Sequence, residues 1–233
     1  MKTNALRLIA AAALATCALG AQAANVTLTD WAFGQGNAVQ ATGYNGLAGA
    51  FKGSLAGAGS FDTASFLTYC VELEEHFSFG ASAMAGYTVV DGASYFSSRR
   101  GDAGIADRIG ALMTYAAGLA APISDSYGST SLQLAIWNMV YDSDYSVTSA
   151  GHFNDSSSSR MMANSLLAGA QGVNQIGFDV YALEKAGSQD FLLLKARAPN
   201  DGTVPEPGGI ALAGAALGLL WGTTRRKRVP VVA

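Results

Sequence analysis

Apolar and polar residues alternate with a period near two through the first third of the chain. The period turns helical in the middle, and alternation returns near residue 175. Residues 26–33, 38–44, 49–55, 65–79 and 87–90 read as strands, separated by Gly-rich breaks that are densest over 43–59. From 104 to 121, Ile105, Ile109, Leu112, Met113, Ala116 and Leu119 fall on one helical face before Pro122 stops the run. A turn-rich stretch, 124–131, leads into a second helix over 132–141, with Ser129, Thr130 or Ser131 available to cap it. Residues 142–159 are polar and loop-like, 160–170 form a third helix, and strands resume at 175–182 and 191–197. There is no internal repeat. A helical block inserted between strand-rich ends predicts one α+β domain: a β-rich, sandwich- or barrel-like sheet closed by its two ends.

The two termini break this pattern. Lys2 and Arg7 precede an uncharged apolar stretch, 8–20, and the small residues of Ala21-Gln22-Ala23 follow. These are the three parts of a cleaved secretory signal over 1–23, too short for a lasting span, and processing would leave Ala24 as the new start. Lipidation at Cys17 is the alternative, with Thr16 a poor residue to precede a lipidated cysteine. At the other end, a linker over 200–207 ends in Pro205, Glu206 and Pro207. An apolar Gly/Ala-rich helix over 208–224 and a basic tail over 225–233, led by Arg225, Arg226, Lys227 and Arg228, complete it. An apolar helix followed by bases stops in a membrane with its positive end inside. The prolines cannot continue that helix and hold the linker extended outside the bilayer.

This tripartite tail resembles the PEP-CTERM sorting signal of Gram-negative, exopolysaccharide-producing bacteria. The resemblance implies recognition by an exosortase, transient residence in the inner membrane, and cleavage near Pro205, Glu206 and Pro207. The mature protein would then reach the cell surface or the biofilm matrix. An ordinary C-terminal membrane anchor is the plainer reading of the same residues.

Setting the ends aside changes the charge and cysteine balance of the remaining domain, 24–199. Six of the 14 basic residues lie in the two sorting segments, leaving eight against 17 acids and a formal net charge of −9 up to Pro207. Such a surface repels phosphate backbones and argues against nucleic acid as a partner. Aromatic and aliphatic residues recur throughout, so the composition is not that of a disordered chain. With Cys17 removed, Cys70 stands alone and no disulfide within the chain is possible.

Two short motifs carry candidate chemistry: Tyr69-Cys70-Val71 on a strand, and Leu132-Gln133-Leu134-Ala135-Ile136-Trp137 opening a helix. Together they resemble the Cys-Gln thioester domains of bacterial surface adhesins, and the strand around Gln189-Asp190-Phe191 is similar to the closing strand of such domains. Leu132 stands where those adhesins carry a threonine. The resemblance implies that the Cys70 sulfur displaces ammonia from the Gln133 carboxamide, with Tyr69 and Trp137 shielding the bond. The product is an activated acyl group that a partner's amine opens in covalent capture rather than turnover, so the protein is expected not to be an enzyme. A thiolate is the competent nucleophile, and its carbonyl partner must be held within reaction distance. With Gln133 in the first helical turn, N-terminal N–H groups would polarise its carbonyl, and Trp137 one turn on would exclude water.

Blander readings compete. A cysteine on an apolar strand is usually inert core, and a glutamine near a helix start is usually a solvated helix former. A protein of the same fold without the bond would serve as a non-covalent structural or exopolysaccharide-associated matrix component. A cysteine hydrolase would need His76 or His152 as base. Glu72, Glu74 and Glu75 read as a solvated strand end rather than a glycosidase pair. Asp142 and Asp144 lack the dense acidic loop and glycine of a calcium site. Arg100-Gly101-Asp102 matches an integrin-binding tripeptide by chance. No phosphate loop, dinucleotide fingerprint or zinc spacing occurs, so neither cofactor nor metal is expected.

Overall fold

The computed structural model describes residues 23–80, 82–149 and 151–198; the signal up to residue 22, the linker, the sorting helix and the basic tail, with Pro205, Glu206 and Pro207, lie outside them. Strand β1 (Ala24–Trp31) is followed by β2 (Asn37–Ala41), β3 (Tyr44–Ala48), β4 (Phe51–Ala56) and β5 (Thr63–Thr68). Strand β6 (Met84–Asp91) leads into helices α1 (Gly92–Arg100), α2 (Gly104–Ala117), α3 (Ser126–Tyr141) and α4 (Arg160–Ala170), and strands β7 (Phe178–Glu184) and β8 (Phe191–Ala196) end the domain. Among the described residues no helix is long and apolar enough to cross a membrane.

Six strands form one antiparallel sheet in the order β5-β4-β1-β6-β7-β8. In β1, Ala24, Val26 and Leu28 face inward while their neighbours are more open, the alternation expected of a half-buried strand. The sheet nearly closes on itself. Beyond β5 the chain continues to the head of β8, where Leu192 N–H donates to Tyr69 O (2.9 Å) and Val71 N–H to Asp190 O (3.2 Å). Thr68 Oγ1 strengthens this seam by donating to Leu192 O at 2.7 Å. The result is an α+β domain with a barrel-like sheet and, among the described residues, four α-helices.

Helix α3 fills the middle of the helical layer. Every residue from Gly128 to Val140 is buried, so its apolar positions run all round rather than along one stripe. The hairpin β2–β3 is fastened to it through Thr130. The Thr130 Oγ1 donates to Ala48 O (2.6 Å) and accepts from Asn37 N–H (2.9 Å). On the hairpin's far side, Thr42 N–H donates to Asn154 O (2.9 Å) in the 142–159 loop.

Several expectations shift. The strand expected over 38–44 is a hairpin, because Gly43 takes a left-handed φ of 77° and turns the chain. The strand expected over 65–79 stops at Thr68, and Cys70 keeps only an isolated bridge to Phe191. Helix α1 went unread because its residues are mostly small or polar. Asp91 caps it, its Oδ1 accepting from Ser94 N–H (3.1 Å), and Gly101 ends it at φ 73° after Arg99 and Arg100. The second sequence-read helix begins at Ser126, six residues early. Its cap is Asp125, whose Oδ1 accepts from Gly128 N–H at 2.7 Å.

Candidate functional site

The early start of α3 changes the setting of Gln133. It stands in the third turn, beyond reach of the free N–H groups of the helix N-terminus. Its carbonyl oxygen finds a different donor. Cys70 N–H donates to Gln133 Oε1 at 2.9 Å, and Gln133 Nε2 donates back to Cys70 O at 2.8 Å. The reason is strand geometry. In an extended chain successive residues direct their backbone groups to opposite edges. Tyr69 O and Val71 N–H meet β8 on one edge, which leaves both backbone groups of Cys70 on the other, where the Gln133 carboxamide meets them.

The site is sealed. Gln133 is fully buried and Cys70 is 7% exposed. Trp137, one turn along α3 and 2% exposed, lies with its ring centroid 5.0 Å from that of Tyr44 and 6.2 Å from that of Phe153. Helical side chains lean toward the N-terminus, so the Trp137 indole covers the turn that carries Gln133. Tyr69 is buried at the sheet seam. Tyr44, on the β2–β3 hairpin, completes the cover. Burial, and then the nearby Cys70, push its hydroxyl above the usual tyrosine range. Burial first, and the Glu72 carboxylate second, push the Cys70 thiol well above its ordinary value, so it rests as a neutral S–H.

The competing residues sit elsewhere. His76 and His152 are exposed. Among the described residues the hydrogen bonds made by Cys70 run to Gln133, and no imidazole is paired with it. Arg100 is paired with Glu74 (3.0 Å) and Asp102 with Arg108 (2.8 Å), which ties up the tripeptide internally. Asp142 and Asp144 accept hydrogen bonds from their own loop, from Ser143 N–H and His152 N–H and from Ser146 N–H respectively.

One expectation is corrected outright. Glu72 is not a solvated strand end but 8% exposed, with Oε1 accepting from Asp190 N–H at 2.8 Å. Glu72, Glu75 and Asp190 each bring a carboxylate oxygen within 4.8 Å of the others. Asp190 is fully buried, accepting from Tyr95 Oη (2.7 Å) and Lys185 N–H (2.7 Å). Sequence reading missed Tyr44, Tyr95 and this carboxylate group. The signal available was the run Glu72, Glu74 and Glu75 directly after the cysteine motif.

Comparison of the chain with protein-family models, with curated proteins and with solved structures finds no match in any of the three.

Proposed function

We propose that this is an exported cell-surface or biofilm-matrix protein whose Cys70 and Gln133 form an internal thioester for covalent capture of an amine on a partner. The observation that carries the reading is the reciprocal pair of hydrogen bonds between the Gln133 carboxamide and the Cys70 backbone inside a sealed site. The chemistry balances without leaving charge in that site. The Cys70 sulfur adds to the Gln133 acyl carbon, the carbon–nitrogen bond breaks, and the thiol proton leaves with the nitrogen as ammonia. Burial holds the thiol neutral at rest, so the sulfur must shed its proton toward the departing nitrogen as it adds. Cys70 N–H, already on Gln133 Oε1, withdraws electron density from the carbonyl throughout. Tyr69, Trp137 and Tyr44 keep water from the product.

The address belongs to the same proposal. The signal over 1–23 would bring residues 24–199 across the inner membrane. An exosortase would then act near Pro205, Glu206 and Pro207, with an exopolysaccharide matrix as the surroundings. Capture is a single event per molecule, so the protein acts as an adhesin rather than an enzyme.

Methylamine treatment followed by peptide mapping tests the reading. An N-methyl group on Gln133, appearing together with one newly titrating thiol at Cys70, supports it. Unmodified Gln133 and a thiol that titrates before treatment, in freshly purified protein, count against it. The second reading, a non-covalent matrix protein, is favoured by one specific observation. The two hydrogen bonds already satisfy every backbone group of Cys70, so the pair has structural value without any bond.

A further inference from the structure

A cavity of about 220 Å³ opens between the two elements that hold the Cys70–Gln133 pair. Val71, the residue after Cys70, lines one side. Val140, seven residues after Gln133 and therefore on nearly the same face of α3, lines the other. Glu72, Glu74, Glu75, Tyr95, Arg99 and Arg100 supply its polar wall.

The charges around it are unbalanced. Arg99 is held by Glu184 (2.6 Å) and lies 3.8 Å from Asp190, while Arg100 is held by Glu74 (3.0 Å) and stacks 4.0 Å over the Tyr141 ring. Both guanidinium groups are therefore engaged, by Glu184, Asp190 and Glu74, and among the described residues Glu72 and Glu75 have no ion-pair partner. Asp190 spends its oxygens on Tyr95 and Lys185 N–H, and Glu75 Oε1 accepts from Gly187 N–H (3.0 Å). Glu72 differs from both. It is more than nine-tenths buried and lines the cavity, and only its Oε1 is hydrogen-bonded among the described residues. Its Oε2 has no donor among the described residues and is open to the cavity, where it can accept a hydrogen bond or a proton from a cationic group.

We infer that this cavity receives the attacking amine: a lysine ammonium of the partner docks against Glu72, gives up one proton to it, and advances as the neutral amine. The inference rests on the thioester reading above. Its chemistry follows from the apolar cover around Gln133. An ammonium is neither nucleophilic nor able to enter a site walled by Trp137, Tyr44 and Tyr69 without a large desolvation cost, so the proton must be left at the entrance. The neutral nitrogen then adds to the Gln133 acyl carbon and the carbon–sulfur bond breaks. The amine's second proton goes to the Cys70 sulfur, and Glu72 later returns its own proton to solvent. A divalent cation fits less well, since calcium requires six to eight oxygens and Asp190 is already occupied by Tyr95 and Lys185 N–H.

The groups facing Glu72 also suit a base working near neutral pH. They are Cys70, Glu74 and Glu75 on its own segment, Tyr87 on β6, Tyr95 and Arg99 on α1, and Asp190 before β8. Burial, with repulsion from Asp190 and then from Glu75 and Glu74, lifts Glu72 to about 7, while the Asp190 N–H bond works the other way.

The test compares methylamine, an ammonium near neutral pH, with hydroxylamine, which is already neutral there. Glu72→Gln should slow thioester opening by methylamine roughly ten-fold or more and leave opening by hydroxylamine nearly unchanged. Glu75→Gln, at a more open position, should slow methylamine several-fold without affecting assembly of the site. Equal methylamine rates in wild type and both variants overturn the inference, as does an equal slowing of both nucleophiles, which a merely structural role for Glu72 would give. Calcium that binds stoichiometrically and blocks methylamine would also overturn it, making the cluster a metal site. If the untreated wild type lacks the ammonia-sized mass deficit, the thioester reading fails instead, and the two failures are thereby told apart.

Discussion

Opening the proposed bond should destabilise the protein by an amount that can be worked from its position in the chain. Cys70 and Gln133 are 63 residues apart in sequence. A covalent link across a loop of that length removes conformational freedom from the unfolded chain worth about 4 kcal/mol by the chain-entropy relation. Methylamine breaks the link but returns an N-methyl carboxamide to residue 133, whose oxygen can again accept from Cys70 N–H, while the methyl group of the trans amide takes the side that faced Cys70 O. The Cys70 N–H bond to the carbonyl oxygen is thus common to the linked and opened states, and the loss reads mainly the cross-link. For a domain of this size, about 4 kcal/mol corresponds to a fall in Tm of roughly 8–16 °C. Thermal melts followed by near-ultraviolet circular dichroism on untreated, methylamine-treated and Cys70→Ala protein read this directly. The treated protein and the variant should melt close together and well below the untreated protein. Coincident melting of all three would refute the reasoning, because a 63-residue loop cannot be closed and opened without a stability difference.

Other perturbations test individual parts of the account. Gln133→Leu leaves Cys70 N–H and O buried without partners and should cost about 2–6 kcal/mol at 1–3 kcal/mol per orphaned group, measured by urea denaturation against Cys70→Ala. Asp125→Ala removes the cap of α3 and should cost about 1 kcal/mol, with thiol accessibility at Cys70 rising as the helix start frays. Glu72 holds its proton more tightly folded than unfolded, so its contribution is present below the ordinary carboxylate range and lost as pH rises through about 7. Unfolding free energies from urea denaturation should therefore drop between mildly acidic and mildly alkaline buffer, by up to an amount on the order of 3 kcal/mol, and Glu72→Gln should flatten that drop.

How far the sequence anticipated the site can be judged from particular residues. The strand-helix-strand order was legible because the apolar period changes visibly at 104 and again near 175. Cys70 and Gln133 were legible as a pair through their motifs, and they do lie within hydrogen-bonding distance. The route to that contact was not. Local pattern could not show that α3 begins at Ser126, because Gly128 to Ser131 look like turn residues until burial against the β2–β3 hairpin makes them helical. Nor could it show that β5 ends at Thr68, since that depends on the seam with β8, more than a hundred residues away. Helix α1 could have been found from its caps, Asp91 and Gly101, with Arg99 and Arg100 in the last turn, rather than from its weak apolar face. Glu72 was misread because burial of a carboxylate is a tertiary fact, set here by Asp190 arriving from the far end of the chain.

The capture chemistry and the role of Glu72 both depend on whether the sulfur of Cys70 is joined to the acyl carbon of Gln133. Intact mass of the freshly purified, unreduced protein decides it. The account predicts a mass one ammonia below that of the processed sequence, and a deficit that disappears in both Cys70→Ala and Gln133→Ala. A wild-type mass equal to the processed sequence, with Cys70 titrating as a free thiol and Gln133 still an unhydrolysed carboxamide, would contradict it.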